Sequence, residues 1–193
     1  MYWWKPADKR FNSALAIALL SLTACAPLRP QSDAQLPLLP ADSWDSTFQL
    51  NQSAAIKGQR NALLLVLIKR KDTLEVNVLS SLGQRLLQLT HDTNGLRTVE
   101  HWPEITLPAD TMLRQLQAAL WPIETLRAHY PAPWKVKESD CQRHITYRQT
   151  LLLTVNYCAH QQGDHHHRLE GATISDHSSG IVIDIQTHEL VPL

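Results

Sequence analysis

Short stretches in which apolar and polar residues alternate dominate the middle of the chain. Within residues 73–79, Leu74, Val76 and Val78 fall on one side, and polar residues lie between them. Alternation with a period of two is typical of a β-strand that buries one face. Residues 62–68 form an unbroken apolar run that also favours a strand. The same reasoning predicts six more strands, at residues 85–91, 96–102, 143–147, 151–157, 168–175 and 180–186.

Turn residues join these strands into consecutive hairpins. The dipeptide Asn94-Gly95 is a strong hairpin signal because both residues tolerate a positive φ. The strands at 143–147 and 151–157 are expected to form a second hairpin, and the last two predicted strands a third. Strands joined in this way pair with antiparallel neighbours, so the sequence predicts an antiparallel sheet.

Residues 108–130 follow a helical spacing and interrupt the strands. Pro108 suits the first helical position, and Asp110 lies in the first turn, where the helix dipole favours an acidic side chain. Apolar residues then recur at intervals of three and four, as expected for one buried helix face. This stripe consists of Met112, Leu113, Leu116, Ala119 and Leu120.

Arg114, Gln115 and Gln117 are expected to face away from that stripe. Trp121-Pro122 ends the helix, and a second short helix is predicted to end near Tyr130. The resulting order of strands, a helical insert and more strands predicts a mainly β, α+β fold with a curved antiparallel sheet. Either the sheet curls around its own core, or the helical pair covers its concave face.

The first 25 residues have the features of an export signal. Three basic residues precede a short apolar stretch, residues 11–23, which is too short to span a bilayer. The stretch ends in Leu22-Thr23-Ala24-Cys25, which resembles the lipobox of bacterial lipoproteins. This resemblance implies cleavage before Cys25 and lipid on its thiol, and Ala26 implies sorting to the outer membrane. The alternative is an ordinary secretory signal with a chance cysteine.

The predicted organisation is a signal peptide at residues 1–24, a lipidated cysteine with a tether at 25–43, and a folded domain at 44–193. Four prolines in the tether favour an extended conformation that holds the domain away from the membrane. Removal of the signal peptide takes away three basic residues and one acidic residue, which leaves a net charge near −2. A nucleic-acid partner is therefore not expected, because phosphate binding needs a basic surface.

Two further cysteines flank the predicted hairpin at 143–157. Because the periplasm is oxidising, Cys141 and Cys158 are expected to form a disulfide, with two free thiols as the alternative. The run His165-His166-His167 invites a metal interpretation. Three consecutive histidines cannot share one face of a strand, so we favour a solvated polar loop and predict no metal site.

The chain contains no signature of a known catalytic site. It lacks Gly-x-Ser-x-Gly, a phosphate-binding loop and Gly-x-Gly-x-x-Gly, and its Ser, His and Asp residues are scattered. We therefore predict a protein that is not an enzyme and that needs no cofactor.

Two segments resemble a known family. One is the run from Leu82 to Leu89 (LGQRLLQL), and the other is Leu116 to Pro122 (LQAALWP). They resemble an uncharacterised family of bacterial lipoproteins called LolB-like, encoded beside aryl polyene and fatty-acid-synthase-like gene clusters. The resemblance runs from about Trp44 to the C-terminus. The family looks like a distant relative of the outer-membrane receptor that accepts lipoproteins from their periplasmic carrier.

This resemblance implies a LolA/LolB-like fold: an unclosed antiparallel half-barrel with a short helical lid and an apolar cavity for acyl chains. The receptor's protruding apolar loop residue has only Leu82 as a counterpart here, in the turn at 80–83. The implied partners are a lipid, acyl or polyene-lipid chain, a lipoprotein, and a periplasmic carrier protein. We expect a monomer that is held at the periplasmic face of the outer membrane by its lipid anchor.

The cavity hypothesis requires a set of aliphatic wall and lid residues. They are Leu74, Val76, Val78, Leu87, Leu89, Leu151, Leu153, Val155, Ile181, Ile183 and Ile185 in the wall, Met112, Leu113, Leu116 and Leu120 in the lid, and Trp102 and Trp121 near the mouth. For any single position, ordinary core packing is the alternative. Three functions stay open: a lipid or lipoprotein carrier-receptor, a structural or assembly lipoprotein with a protein partner, and an enzyme acting on a lipid-linked product.

Overall fold

Ten strands form one antiparallel sheet in the computed structural model, which describes residues 34–101, 107–158 and 169–193. The strands are β1 (Phe48–Ile56), β2 (Leu63–Arg70), β3 (Thr73–Ser80), β4 (Arg85–Asp92), β5 (Gly95–His101), β6 (Trp134–Glu138), β7 (Gln142–Tyr147), β8 (Thr150–Asn156), β9 (Gly171–Asp176) and β10 (Val182–Pro192). The helices of the described residues are α1 (Ala109–Leu120), α2 (Ile123–His129) and a short 3-10 turn at Ala41–Ser43.

The order of strands across the sheet is β5-β4-β3-β2-β1-β10-β9-β8-β7-β6. Strands β1 to β5 form one meander and β6 to β10 a second, and the antiparallel pair β1 and β10 joins them at the centre. Within the described residues β5 and β6 are the two edges, so the sheet is not closed into a barrel. The predicted fold class, a mainly β antiparallel sheet with two short helices, is confirmed.

Local sequence accounts for most of the strand pairing. In β3 the buried positions are Leu74, Val76 and Val78, and the intervening residues are less buried, as the period-two pattern predicts. The turn between β4 and β5 ends at Gly95, whose φ of +106° is open to glycine but strained for other residues. Because each hairpin fixes its own register, seven of the eight predicted strands lie within three residues of their expected bounds, and β10 extends six residues beyond its predicted end.

Two strands, β1 and β6, were not predicted. The inward positions of β1 include Gln52 and Ala54, which interrupt the apolar alternation, and β6 buries only Val136. Strand β1 also takes its central position by pairing with β10, more than 120 residues away in sequence, for example through Ile56 and Ile183. Pairing at such a distance leaves no turn signal by which to find it.

The folded domain was predicted to start at Trp44, but the packed part of the chain begins earlier. Leu39 and Ala41 have 1% and 2% of their surface exposed, and Leu39 belongs to the core cluster. We call residues 36–43 the N-terminal strap. Its leucines pack against the core, although its prolines alone favour an exposed tether. Residues 25–33, including Cys25, lie outside the described residues.

Leu151 was predicted to lie in the inner wall, and this prediction is wrong. The pairing of β7 with β8 shifts between Ile145 and Thr146, so that Leu153 pairs with Ile145 but Leu151 pairs with Thr146. The extra residue, Leu152, is buried in place of Leu151, which is 39% exposed. A β-bulge of this kind reverses which residues of a strand face inward.

A disulfide joins Cys141 to Cys158, the pair expected from the sequence, with their Cα atoms 5.0 Å apart. Cys141 precedes β7 and Cys158 follows β8, so the bond closes the open end of that hairpin. The Tyr157 amide donates to the carbonyl oxygen of Cys141 at 2.8 Å, which extends the pairing to the bond.

We expect loss of this disulfide to lower the free energy of unfolding by about 3 kcal/mol, because it closes a short loop in the unfolded chain. The sequence separation that sets the size of this loop is 17 residues. Urea unfolding of the oxidised and reduced protein measures the difference. The double variant Cys141→Ser/Cys158→Ser should unfold like the reduced protein and should not respond to reductant. A reduced protein as stable as the oxidised one would contradict the prediction.

Candidate functional site

The inner face of the sheet, the face that contacts α1, is mainly aliphatic, with four buried polar residues at Gln52, Lys69, His91 and Arg143. The wall residues predicted from the sequence that lie on it have at most 7% of their surface exposed: Leu74, Val76, Val78, Leu87, Leu89, Leu153, Val155, Ile183 and Ile185. Ile181 precedes β10 and is partly buried against the same cluster. Trp102 lies outside the described residues.

Helix α1 covers this face. Its predicted lid residues Met112, Leu113, Leu116 and Leu120 are all buried, and Trp121 at its end is fully buried. Met112 and Leu116 enclose, with aliphatic residues of five strands, a cavity of about 20 Å3. Ligand pockets typically have volumes of about 300–1,000 Å3. The structure therefore brings the predicted wall and lid together. The side chains of the wall and the lid fill the space between the sheet and α1.

The C-terminal end of α1 is bound by a buried arginine. Arg143 on β7 is 0% exposed, and its Nε donates to Glu138 Oε2 at 2.7 Å. Its Nη1 donates to the carbonyl oxygens of Ala118 and Ala119, the latter at 3.2 Å. The last carbonyls of a helix have no intrahelical partner and carry partial negative charge, so a cation stabilises them.

Tyr157 completes this contact. Its hydroxyl donates to the Ala119 carbonyl oxygen at 2.7 Å, and its ring lies 5.7 Å from the Arg143 guanidinium carbon. Sequence reasoning missed both residues as part of the site. The sequence pattern did contain a signal for Arg143, because it lies at an inward position of β7, as Ile145 does. A charged residue on an otherwise apolar face requires a buried partner.

The N-terminal strap contacts α1 and the inner face of the sheet. The Gln117 side chain accepts from the Leu39 amide at 3.0 Å and donates to the Leu39 carbonyl oxygen at 3.0 Å. His91 Nε2 donates to that same carbonyl oxygen at 2.8 Å. Trp121 Nε1 donates to Ser43 Oγ at 3.1 Å. The strap therefore links the C-terminal part of α1 to β4.

Gln115 and Gln117 were expected to face away from the buried side of the helix, and this expectation is wrong. They are 1% and 0% exposed. An apolar stripe on one helix face predicts solvent on the other face only if nothing else packs there. Here the strap and the end of β9 cover it, because Gln115 Nε2 donates to Asp176 Oδ2 at 3.0 Å.

We expect Gln117→Met to lower the free energy of unfolding by about 1–3 kcal/mol, because the buried Leu39 amide loses its acceptor. Urea unfolding measures the loss, and limited proteolysis of residues 36–43 reports whether the strap is released. Gln49→Met, which removes only a contact between the side chains of Gln49 and Asn51 on β1, is the matched control. Equal stability of the two variants would argue against a fastening role for Gln117.

The site offers aliphatic contact and hydrogen bonds rather than a cluster of reactive groups. Within residues 34–101, 107–158 and 169–193, no group of three or more His, Cys, Asp or Glu side chains converges as metal ligands would. The histidine run at 165–167 lies outside the described residues. Burial raises the pKa of Tyr130, outweighing the nearby positive charges of Arg143 and Arg114. The Tyr130 hydroxyl is therefore a neutral group at physiological pH.

No helix in the part of the chain that the structure describes is both long enough and apolar enough to cross a membrane.

The fold and the site define a class of protein: an α+β domain in which a buried helix covers the aliphatic face of an open antiparallel sheet. A family described as proteins of unknown function, DUF3261, matches residues 46–189. The chain belongs to this family. No curated protein matches this chain.

Two solved structures are similar to this chain. One is a LolA superfamily protein from Nitrosomonas europaea, with a TM-score of 0.38, 11% sequence identity, and coverage of 77% of this chain and 87% of that chain. The other is described as an outer-membrane lipoprotein-sorting protein domain from Vibrio parahaemolyticus. Its TM-score is 0.35 with 8% identity, and the match covers 78% of this chain and 86% of that chain.

Proposed function

We propose that this protein is an outer-membrane lipoprotein that binds a long apolar chain beneath α1. The ligand is the acyl chain of a lipid or lipoprotein, or a polyene lipid, and binding serves its transport or its localisation to the outer membrane. One observation carries this proposal. The aliphatic inner face is covered mainly by α1 rather than by closure of the sheet, and side-chain hydrogen bonds hold this helix near its C-terminal end.

Such a ligand would move α1 away from the inner face, because the present cavity of about 20 Å3 is too small for it. Each neutral hydrogen bond that holds α1 contributes about 0.5–1.5 kcal/mol. Burial of apolar surface contributes about 25 cal/mol per Å2, so a few hundred Å2 of an acyl chain contributes several kcal/mol. An acyl chain buried beneath α1 therefore offsets the loss of a few of these hydrogen bonds as the helix moves away from the sheet.

The proposed location depends on the N-terminal segment. A signal peptide at residues 1–24 directs export, and lipid on Cys25 anchors the protein to the periplasmic face of the outer membrane. One acyl chain anchors a protein only marginally, whereas two or three hold it firmly. The disulfide between Cys141 and Cys158 supports an oxidising compartment. The aryl polyene association belongs to this proposal as one source of the ligand.

The turn between β3 and β4 fits a contact with a membrane or a carrier protein. Leu82 in this turn is 94% exposed, whereas nearby Ser80 holds the turn by accepting from the Gln84 amide at 3.2 Å through its side chain. This is the position that the LolB-like resemblance offers for a protruding apolar residue. In the proposed function Leu82 makes the first contact with an apolar surface.

A second candidate is a structural or assembly lipoprotein with a closed core and a protein partner. The filled interior favours it, because a core without space for a guest needs no ligand to be stable. In that case the inner face is ordinary core packing, and the exposed surface carries the function.

Lipid binding distinguishes the two candidates. Full-length protein extracted in detergent should retain a non-covalent lipid in native mass spectrometry, in addition to its anchor. The delipidated protein should be stabilised by palmitate, by about 2.7 kcal/mol at 100 times the dissociation constant, in a thermal unfolding experiment. Absence of both retained lipid and stabilisation would contradict the carrier function and favour the assembly role.

A further inference from the structure

A second space opens beside the apolar interior. It is a cleft of about 430 Å3 at the N-terminal half of α1, between the strap and the loop that joins β9 to β10. Leu36, Leu152 and Ile181 give it apolar walls, and Arg114, Asp176 and Ser178 give it polar ones. A cleft of this volume and mixed chemistry falls in the range of sites for small ligands.

The cleft and the apolar interior share two lining residues. Leu107 and Gln115 line both spaces. A chain that enters the interior from the cleft therefore passes between these two side chains, and a polar group at the head of that chain comes to rest beside Gln115. This arrangement makes the cleft an entrance with a polar contact at its inner end.

The orientation of the Gln115 amide follows from its partner. Asp176 Oδ1 accepts from the Ser178 amide at 2.8 Å, the Ser178 hydroxyl at 2.6 Å and the Ser179 amide at 3.2 Å. Burial alone would raise the pKa of Asp176, but these hydrogen bonds outweigh it and hold that pKa below its usual value. An ionised carboxylate only accepts hydrogen bonds, so Gln115 must turn its amide nitrogen towards Asp176 Oδ2.

The Gln115 carbonyl oxygen is then left as an acceptor without a donor. Gln115 is 1% exposed, and its Oε1 is buried with no hydrogen-bond partner. A buried acceptor in this state costs about 1–3 kcal/mol unless a donor reaches it. Four donors already occupy the Asp176 carboxylate, so the free acceptor at the inner end of the cleft is Gln115 Oε1, and it favours a ligand that donates a hydrogen bond.

We propose that the cleft binds the head of an amphiphile whose chain is joined to an N–H donor, as in an acyl amide, and that Gln115 Oε1 accepts from this donor. This inference rests on the proposed function and adds the chemical class of the ligand. The cleft holds the head group, and the chain continues past Leu107 towards Met112 and Leu116.

Two nearly isosteric probes test it. N-methyldodecanamide carries one N–H beside its chain, and N,N-dimethyldodecanamide carries none. Detergent-extracted full-length protein should bind the first about tenfold more tightly than the second, measured by displacement of a fluorescent fatty acid and corrected for partition into micelles. In Gln115→Met the ratio should fall to about one. Gln35→Met, the same substitution at an exposed residue of the same cleft, should keep the tenfold ratio.

The outcomes separate the two levels of the proposal. Equal binding of the two probes by the unmodified protein overturns the role of Gln115 but leaves the carrier function intact. A tenfold preference that persists in Gln115→Met also overturns that role. If neither probe nor the fluorescent fatty acid binds, the carrier function itself fails, and the inference fails with it.

Discussion

Replacement of Arg143 by alanine is expected to lower the free energy of unfolding by about 3–5 kcal/mol, the loss typical of a broken buried ion pair. The guanidinium is 0% exposed and links Glu138 on β6 to the last carbonyls of α1. Its removal takes away the charge-assisted donor to Ala118 and the ion pair with Glu138. Urea unfolding gives the free energy, and hydrogen exchange at residues 118–120 reports the release of the helix end.

Arg70→Ala is the matched control for this prediction. Arg70 forms an ion pair with Glu75 at 3.0 Å, but the two side chains are 53% and 31% exposed. Exposed pairs of this kind contribute about 0–1 kcal/mol because water screens them. If Arg143→Ala were no more destabilising than Arg70→Ala, Arg143 would not be what holds the end of α1 in place.

The sheet was predictable because its information is local. Alternating residues such as Leu74, Val76 and Val78 define a strand and its buried face, and Asn94-Gly95 defines a hairpin. What escaped prediction depends on contacts distant in sequence. Strand β1 has a weak alternation and finds β10 only after the rest of the sheet is assembled. The bulge that exposes Leu151 leaves no mark on the hydrophobic pattern of β8.

The apolar half of the candidate site was predictable, and the polar half was not. Aliphatic residues at helical and strand spacing identified both the inner face and α1, because hydrophobic burial follows periodicity. The role of Arg143 depends on where β7 places it relative to α1, which no local pattern contains. Gln115 and Gln117 were read as solvent-facing for the same reason, since their partners Asp176 and Leu39 lie 61 and 78 residues away.

Leu116→Ala is expected to lower the free energy of unfolding by about 2–5 kcal/mol, because it removes a buried side chain where the surroundings cannot collapse fully. Leu116 is 2% exposed and already borders the cavity of about 20 Å3. The strap and Arg143 hold the C-terminal part of α1 in place, so the helix cannot move inward to fill the space. We therefore expect a loss in the upper half of this range, measured by urea unfolding.

The same variant connects stability with ligand binding. An apolar cavity made by a leucine-to-alanine change stays dry and can bind a small apolar molecule such as benzene. Benzene should therefore raise the unfolding temperature of Leu116→Ala but not that of the unmodified protein, by mass action on the folded state. Leu64→Ala, which shortens a residue of β2 that is 37% exposed, is the control and should change stability by less than about 0.5 kcal/mol. A Leu116→Ala protein that neither loses stability nor responds to benzene would contradict this prediction. It would mean that α1 moves towards the sheet and fills the cavity. A helix that moves in this way would leave no apolar space for a ligand.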